Sequence, residues 1–243
     1  MADRVPQEET ERYRTANTAL VALASGDLAA LWRSLDLSRP TAARNALLEA
    51  VPLLTTVHGE SAAVIAADWY DEMRALQRIP GRFRARMAPP VPVEVVESRV
   101  RYGARHLFTE TPDQTLRFLD NATSEYVLQP GRDTIQQSAV ADPRAVGWHR
   151  ETRPSQSYAS GCGFCQMLAG RGGVYKWESA PFAAHGNCQC VAVPSWDADA
   201  EEVPVSAYVA SRRTAQMSAA EKARHNAYLR DYVNAYFPTT RTR

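Results

Sequence analysis

Apolar residues recur at helical spacing through the first part of the chain. Leu20, Ala24, Leu28, Leu31 and Leu35 define one face, and Gly26-Asp27 interrupts it, which predicts two short helices in tandem. Ala62, Ala66, Trp69, Met73 and Leu76 form a cleaner stripe, with Asp68, Asp71, Glu72 and Arg74 on the opposite, solvated face. Pro80-Gly81 ends that helix. Val93, Val96, Val100 and Leu107 mark another. Thr111-Pro112-Asp113-Gln114 reads as a capping box with proline at the first helical position, and the helix it opens turns Leu116, Leu119, Thr123 and Tyr126 inward.

From Gly147 the pattern changes. Glycines become dense, and Val191-Ala192-Val193, closed by Pro194, reads as a short strand. After the acidic positions Asp197, Asp199, Glu201 and Glu202, Ser218 and Glu221 form a second capping box. The helix after it carries Leu229, Tyr232, Val233 and Tyr236 on one side, stops at Pro238, and is expected to pack on its own domain. The predicted fold class is α+β, mainly helical. A helical region spans 1–145, with a hinge at 80–92 where Pro80, Pro89, Pro90 and Pro92 stand among arginines. A small Cys/His module covers 146–196, and a tail with helix 219–236 covers 197–243.

The 243 residues carry a net charge of +1, so the basic footprint of a dedicated nucleic-acid binder is missing. The one local exception is Arg78, Arg82, Arg84 and Arg86, a solvated loop with scope for a weak DNA contact. No uncharged apolar run approaches a membrane span, and the charged N-terminal segment lacks an apolar signal core; neither membrane insertion nor secretion is expected. Only Lys176 and Lys222 are lysine, and the remaining basic residues are arginine, the mark of a GC-rich coding genome.

All four cysteines lie between Cys162 and Cys190. Cys162-Gly-Phe-Cys165 supplies two soft ligands from a tight turn, and His185-Gly-Asn-Cys188-Gln-Cys190 supplies three more. Two such groups close a tetrahedron around one ion, and thiolate with imidazole selects Zn²⁺. Five candidates for about four positions leave one outside the first coordination shell. Three other chemistries use the same residues: a C-x-x-C thiol oxidoreductase, a pair of disulfides, and a Cys–His nucleophile for hydrolysis. His58, His106, His149 and His225 stand alone in the sequence and read as surface or packed histidines.

Gly147-Trp148-His-Arg150, the run Cys162, Phe164, Cys165, Met167, Leu168, Ala169, Arg171, Gly172, Val174, Tyr175, and the ending His185-x-x-Cys188-x-Cys190 with its apolar strand and Pro194 resemble the Mu F-like minor head proteins of tailed phages. These are related to the head-morphogenesis family typified by the phage SPP1 minor head protein. Residues 151–161 are longer than the turn usual there. The resemblance implies a protein of the virion head, made in the host cytoplasm and placed in the procapsid interior near the portal, with portal protein and major capsid or scaffold protein as partners. It also implies that Phe164, Met167, Leu168 and Tyr175 pack around the metal while Trp148 and Arg171 face a partner. Actinobacterial members are often labelled capsid maturation proteases, which is the alternative function. No nucleophile–base pair is singled out for it, although Ser160 with His149 or His185 is available, so the catalytic residues are unknown.

Overall fold

The computed structural model describes residues 4–152, 163–170, 173–176, 182, 184, 188–203 and 217–236. It is mainly helical. Helix α1 (Gln7–Ser34) has Glu8 and Glu9 in its first turn and Arg33 in its last, each complementing the helix dipole. Helix α2 (Pro40–Leu76) starts with proline at its first turn, where the missing N–H costs no helical bond. Helix α3 (Val93–Gly103) runs into a 3₁₀ turn at Ala104–Phe108, and α4 (Asp113–Ala141) follows. Helices α2 and α4 share the longest interface, with α1 against both. By length and composition alone α2 would pass as membrane-crossing, but in this fold its apolar stripe is the centre of the bundle.

The core has two ends. Leu28, Trp32, Leu47, Val96, Val100, Leu107 and Leu119 fill one, where α3 closes the bundle. At the other, Tyr13, Trp69, Tyr70, Met73 and Ile135 pack directly against Trp148, Val193 and Trp196. These last three belong to or flank a small sheet. Strand β1 (Gly147–Glu151) pairs antiparallel with β2 (Val191–Ser195), in register from Gly147 opposite Ser195 to Glu151 opposite Val191. Single bridges extend the sheet from Trp148 to Tyr175 and from Val174 to Glu202. Gly147 sits at φ 141°, and a Cβ there would strike the Tyr175 carbonyl; glycine is what lets that bridge close.

Several local expectations change. Gly26-Asp27 does not break α1, which runs through it, and Asp27 pairs with His58 of α2 at 2.8 Å. The Thr111 capping box does not form: the Thr109 and Thr111 hydroxyls meet each other instead, and α4 begins after Pro112 without a side-chain cap. The Ser218 box does form, reciprocally, with the Ser218 N–H donating to Glu221 Oε2 at 2.8 Å and the Glu221 N–H to Ser218 Oγ at 3.3 Å. Of the α2 stripe, Leu76 is 54% exposed, whereas Arg74, expected in solvent, is 7% exposed. Arg74 turns inward because its Nε donates to the buried Asp142 at 3.0 Å, and its Nη atoms donate to the carbonyls of Ile79, Pro80 and Gly81.

Residues 80–92 cross α2 and α4 as an extended strap. The Ala85 N–H donates to Asp71 Oδ1, Arg86 to Ser138 Oγ and Ala88 to Thr134 Oγ1. Helix α5 (Gly163–Ala169) lies beside β1, and α6 (Ala219–Tyr236) touches α5. Leu229 and Tyr228 of α6 are exposed, while the side chains of Tyr232, Val233 and Tyr236, expected to pack with Leu229, lie outside the described residues.

Candidate metal centre

Cys165 projects from α5, and Cys188 and Cys190 stand just before β2, two residues apart so that both thiols face the same way. The three sulfurs lie within 4.8 Å of one another, and Cys165 Sγ is 3.7 Å from Cys188 Sγ. All three are buried, between 2% and 4% exposed. Sulfurs at about 2.3 Å from a tetrahedral ion are about 3.8 Å apart, so the spacing suits three corners of a thiolate site. Deep burial removes these thiols from the accessible setting that an oxidoreductase or a nucleophilic cysteine needs. Of the five predicted ligands, the structure brings together Cys165, Cys188 and Cys190; Cys162 and His185 lie outside the described residues.

Electrostatics favour one thiolate in the trio. Hydrogen bonds from the Cys165 and Cys190 thiols, followed by the nearby Arg132 charge, pull the Cys188 thiol well below its ordinary value. Its bonds to Cys188 and Cys190, added to burial, hold Cys165 above the ordinary thiol range. The Cys165 bond pulls Cys190 down, but its bond to Cys188 and burial prevail and push it up to about 11. A metal ion would displace the remaining protons.

Arginines that the sequence did not single out surround the trio. Arg132 of α4, 3% exposed, donates through Nη2 to the Cys188 carbonyl at 2.7 Å and the Cys190 carbonyl at 3.3 Å. Arg14 of α1, 1% exposed, donates to the intervening Gln189 carbonyl at 3.1 Å. Three consecutive carbonyls are thus held by guanidinium groups from two helices. Arg150 of β1 brings Nη1 to 3.9 Å from Cys165 Sγ and lies over the Phe182 ring at 3.7 Å. Spacing carries no hint of this, because in a chain whose basic residues are nearly all arginine each one looks alike.

Tyr175 packs beside the centre as expected, 8% exposed, and Met167 and Leu168 are half-buried. Trp148 does not face outward. It is 2% exposed, stacked on Tyr175 at 4.7 Å and against Phe182 at 5.8 Å, because its position in β1 points into the core. Arg171, Phe164's side chain and Ser160 lie outside the described residues. His149 has Glu151 at 3.4 Å. Arg78, Arg82, Arg84 and Arg86 are all exposed, and Arg84 pairs with Asp71 at 3.0 Å.

Comparison with curated proteins and with solved structures returned no match. A family model described as VG15 protein matches residues 4–230, from before α1 into α6 and across the whole cysteine segment. The helical bundle and the thiol cluster are therefore parts of one family pattern, and the chain belongs to the VG15 protein family, a family of phage proteins.

Proposed function

We propose that this protein is a minor head protein that acts in virion head assembly, in the procapsid interior near the portal, with portal protein and major capsid or scaffold protein as its partners. The observation that carries the reading is the buried thiol trio at the junction of bundle and sheet, within a phage-family match that spans both. Such a junction is built for rigidity: every described ligand is inaccessible, and its loop is tied to two helices. The centre would hold Zn²⁺ through Cys165, Cys188 and Cys190, with Cys162 or His185 completing four positions. Bound there, zinc supplies a cross-link rather than a Lewis acid, because a closed thiolate shell leaves no position for substrate. The chain's own residues do the rest. Arg132 and Arg14 fix the ligand loop, and Tyr175, Phe182 and Trp148 keep water out. The exposed Arg78, Arg82, Arg84 and Arg86 would add at most a weak contact to packaged DNA.

The test is made in the parent phage. Purified heads should contain the wild-type chain, and tagged portal protein should capture it. Cys188→Ser should reduce its incorporation into heads. Wild-type protein that is absent from purified heads and not retained by portal protein would overturn the head-assembly reading. Elemental analysis of reduced protein should find close to one equivalent of zinc.

A further inference from the structure

We propose that Arg132 is, beside Arg150, a buried counter-ion of an anionic metal–thiolate centre, and that through it the occupancy of that centre is coupled to helix α4. The inference rests on the metal reading above and adds the charge requirement that reading creates. Zn²⁺ with three thiolates carries a net charge of −1, and with a fourth thiolate −2. Such a charge, buried at 2–4% exposure, needs compensation inside the protein.

Arg132 meets that need. It is 3% exposed and lies on α4, where it faces the ligand loop and forms no ion pair among the described residues. Its Nη2 binds the carbonyls of Cys188 and Cys190, and its Nη1 is buried with no hydrogen-bond partner among the described residues. Its neighbour Asp133 is taken by Gln129 Nε2 at 2.7 Å. Arg14, the other helix-borne clamp, already has Glu11 at 3.3 Å and Glu151 at 3.8 Å, so its charge is partly balanced without the thiolates. Arg132 is therefore a cation whose burial is costly without an anion beside it and favourable with one. Because the same side chain grips the ligand loop from the middle of α4, metal binding and α4 order stabilise each other.

This predicts effects of different size for one substitution in two states. Arg132→Met keeps the length and packing and removes the charge. In the zinc-loaded protein it should weaken zinc by about 10- to 100-fold, measured by competition with a chromogenic chelator, as losses in the second coordination shell do. In the zinc-free protein, where Arg132 still holds the Cys188 and Cys190 carbonyls but faces less negative charge, it should lower the melting temperature by less than in the zinc-loaded protein. Arg132→Lys, which keeps the charge and loses the fork, should retain zinc affinity to within a few-fold. A role in packing alone would lower the melting temperature of both states equally and would not be rescued by lysine. Unchanged zinc affinity in Arg132→Met would overturn the counter-ion role while leaving the metal centre intact. Wild-type protein that takes up no zinc would overturn both. If Arg132→Met does not fold, the lysine variant decides: a loss of affinity tenfold or greater refutes the role of charge.

Discussion

Asp142 is the residue on which most of the buried polar structure converges. It accepts from Arg74 Nε at 3.0 Å, Tyr70 Oη at 3.1 Å and Trp196 Nε1 at 3.2 Å, and its Oδ1 accepts from the Arg144 N–H at 3.0 Å. Burial alone would raise its pKa. The bonds from Arg144, Arg74 and Trp196, with the Arg74 charge, outweigh that and hold the carboxyl below the ordinary range. A depressed carboxyl contributes stability that is present above its unfolded pKa of about 3.9 and is lost as pH falls through the lower folded value. Wild-type stability should therefore drop as pH is lowered from about 4, and Asp142→Asn should flatten that part of the profile in denaturant titrations at stepped pH. Asp142→Ala should cost about 3–5 kcal/mol at neutral pH, because it strands the Arg74 guanidinium at 7% exposure. A loss below about 1 kcal/mol would show that the turn carbonyls of Ile79, Pro80 and Gly81 alone suffice for Arg74. The clustering of Cys165, Cys188 and Cys190 was legible in the sequence because cysteines that share one centre tend to stand at short spacings. Arg74 and Arg132 were not, because each is fixed by a partner 68 or 56 residues away, and periodicity sees only nearest turns.

At the scale of elements, two helical glycines separate what local propensity predicts from what packing allows. Gly26 lies within α1, and a Cβ there would meet nothing within 4 Å. Gly26→Ala should stabilise the protein by about 0.5–1 kcal/mol by removing glycine's entropic cost. Gly131 lies within α4, where a Cβ would stand 3.0 Å from the Ala62 carbonyl oxygen of α2. Close by, Gly59 of α2 takes Pro130 Cγ at 3.2 Å from its own Cβ position. The two longest helices cross there backbone to backbone. Gly131→Leu should destabilise by about 1–3 kcal/mol through overpacking, despite leucine's better helix propensity. Chemical denaturation of the two variants beside wild type checks both signs, and a stabilised Gly131→Leu would mean the helices can separate at no cost. The same crossing shows where sequence reading stopped. Pro130-Gly131 is a breaker by local rules, yet α4 runs through it because the small pair is what α2 needs opposite Ala62 and Gly59. Amphipathic stripes revealed that helices exist; they did not reveal their length, since Gly26 reads as punctuation although α1 runs through it.

For the whole molecule, the decisive fact is that, among the described residues, one core cluster spans the change in sequence character at Gly147. Tyr13 of α1, Tyr70 and Met73 of α2 and Ile135 of α4 share one hydrophobic cluster with Trp148, Val193, Trp196 and all three described cysteines. The hydrogen-bond ties run the same way, joining Arg14 to the Gln189 carbonyl, Arg132 to the cysteine carbonyls and Asp142 to the Trp196 N–H. Elements that bury one another cannot unfold in turn without exposing that surface, so the zinc-loaded protein should melt in one transition. Helical ellipticity and the fluorescence of Trp148 and Trp196, with the remaining tryptophans replaced by phenylalanine, should trace coincident curves. Chelation should then move both curves together. A site filled at about 1,000 times its Kd contributes about 4 kcal/mol, and for a chain of this size each kcal/mol is worth about 2–4 °C, so the shift should be about 8–16 °C. If the tryptophan signal collapses first while helical ellipticity persists, the sheet and its thiols are a separable unit docked on a bundle that stands without them. The coupling through Arg132 would then have to be far weaker than the shared core implies.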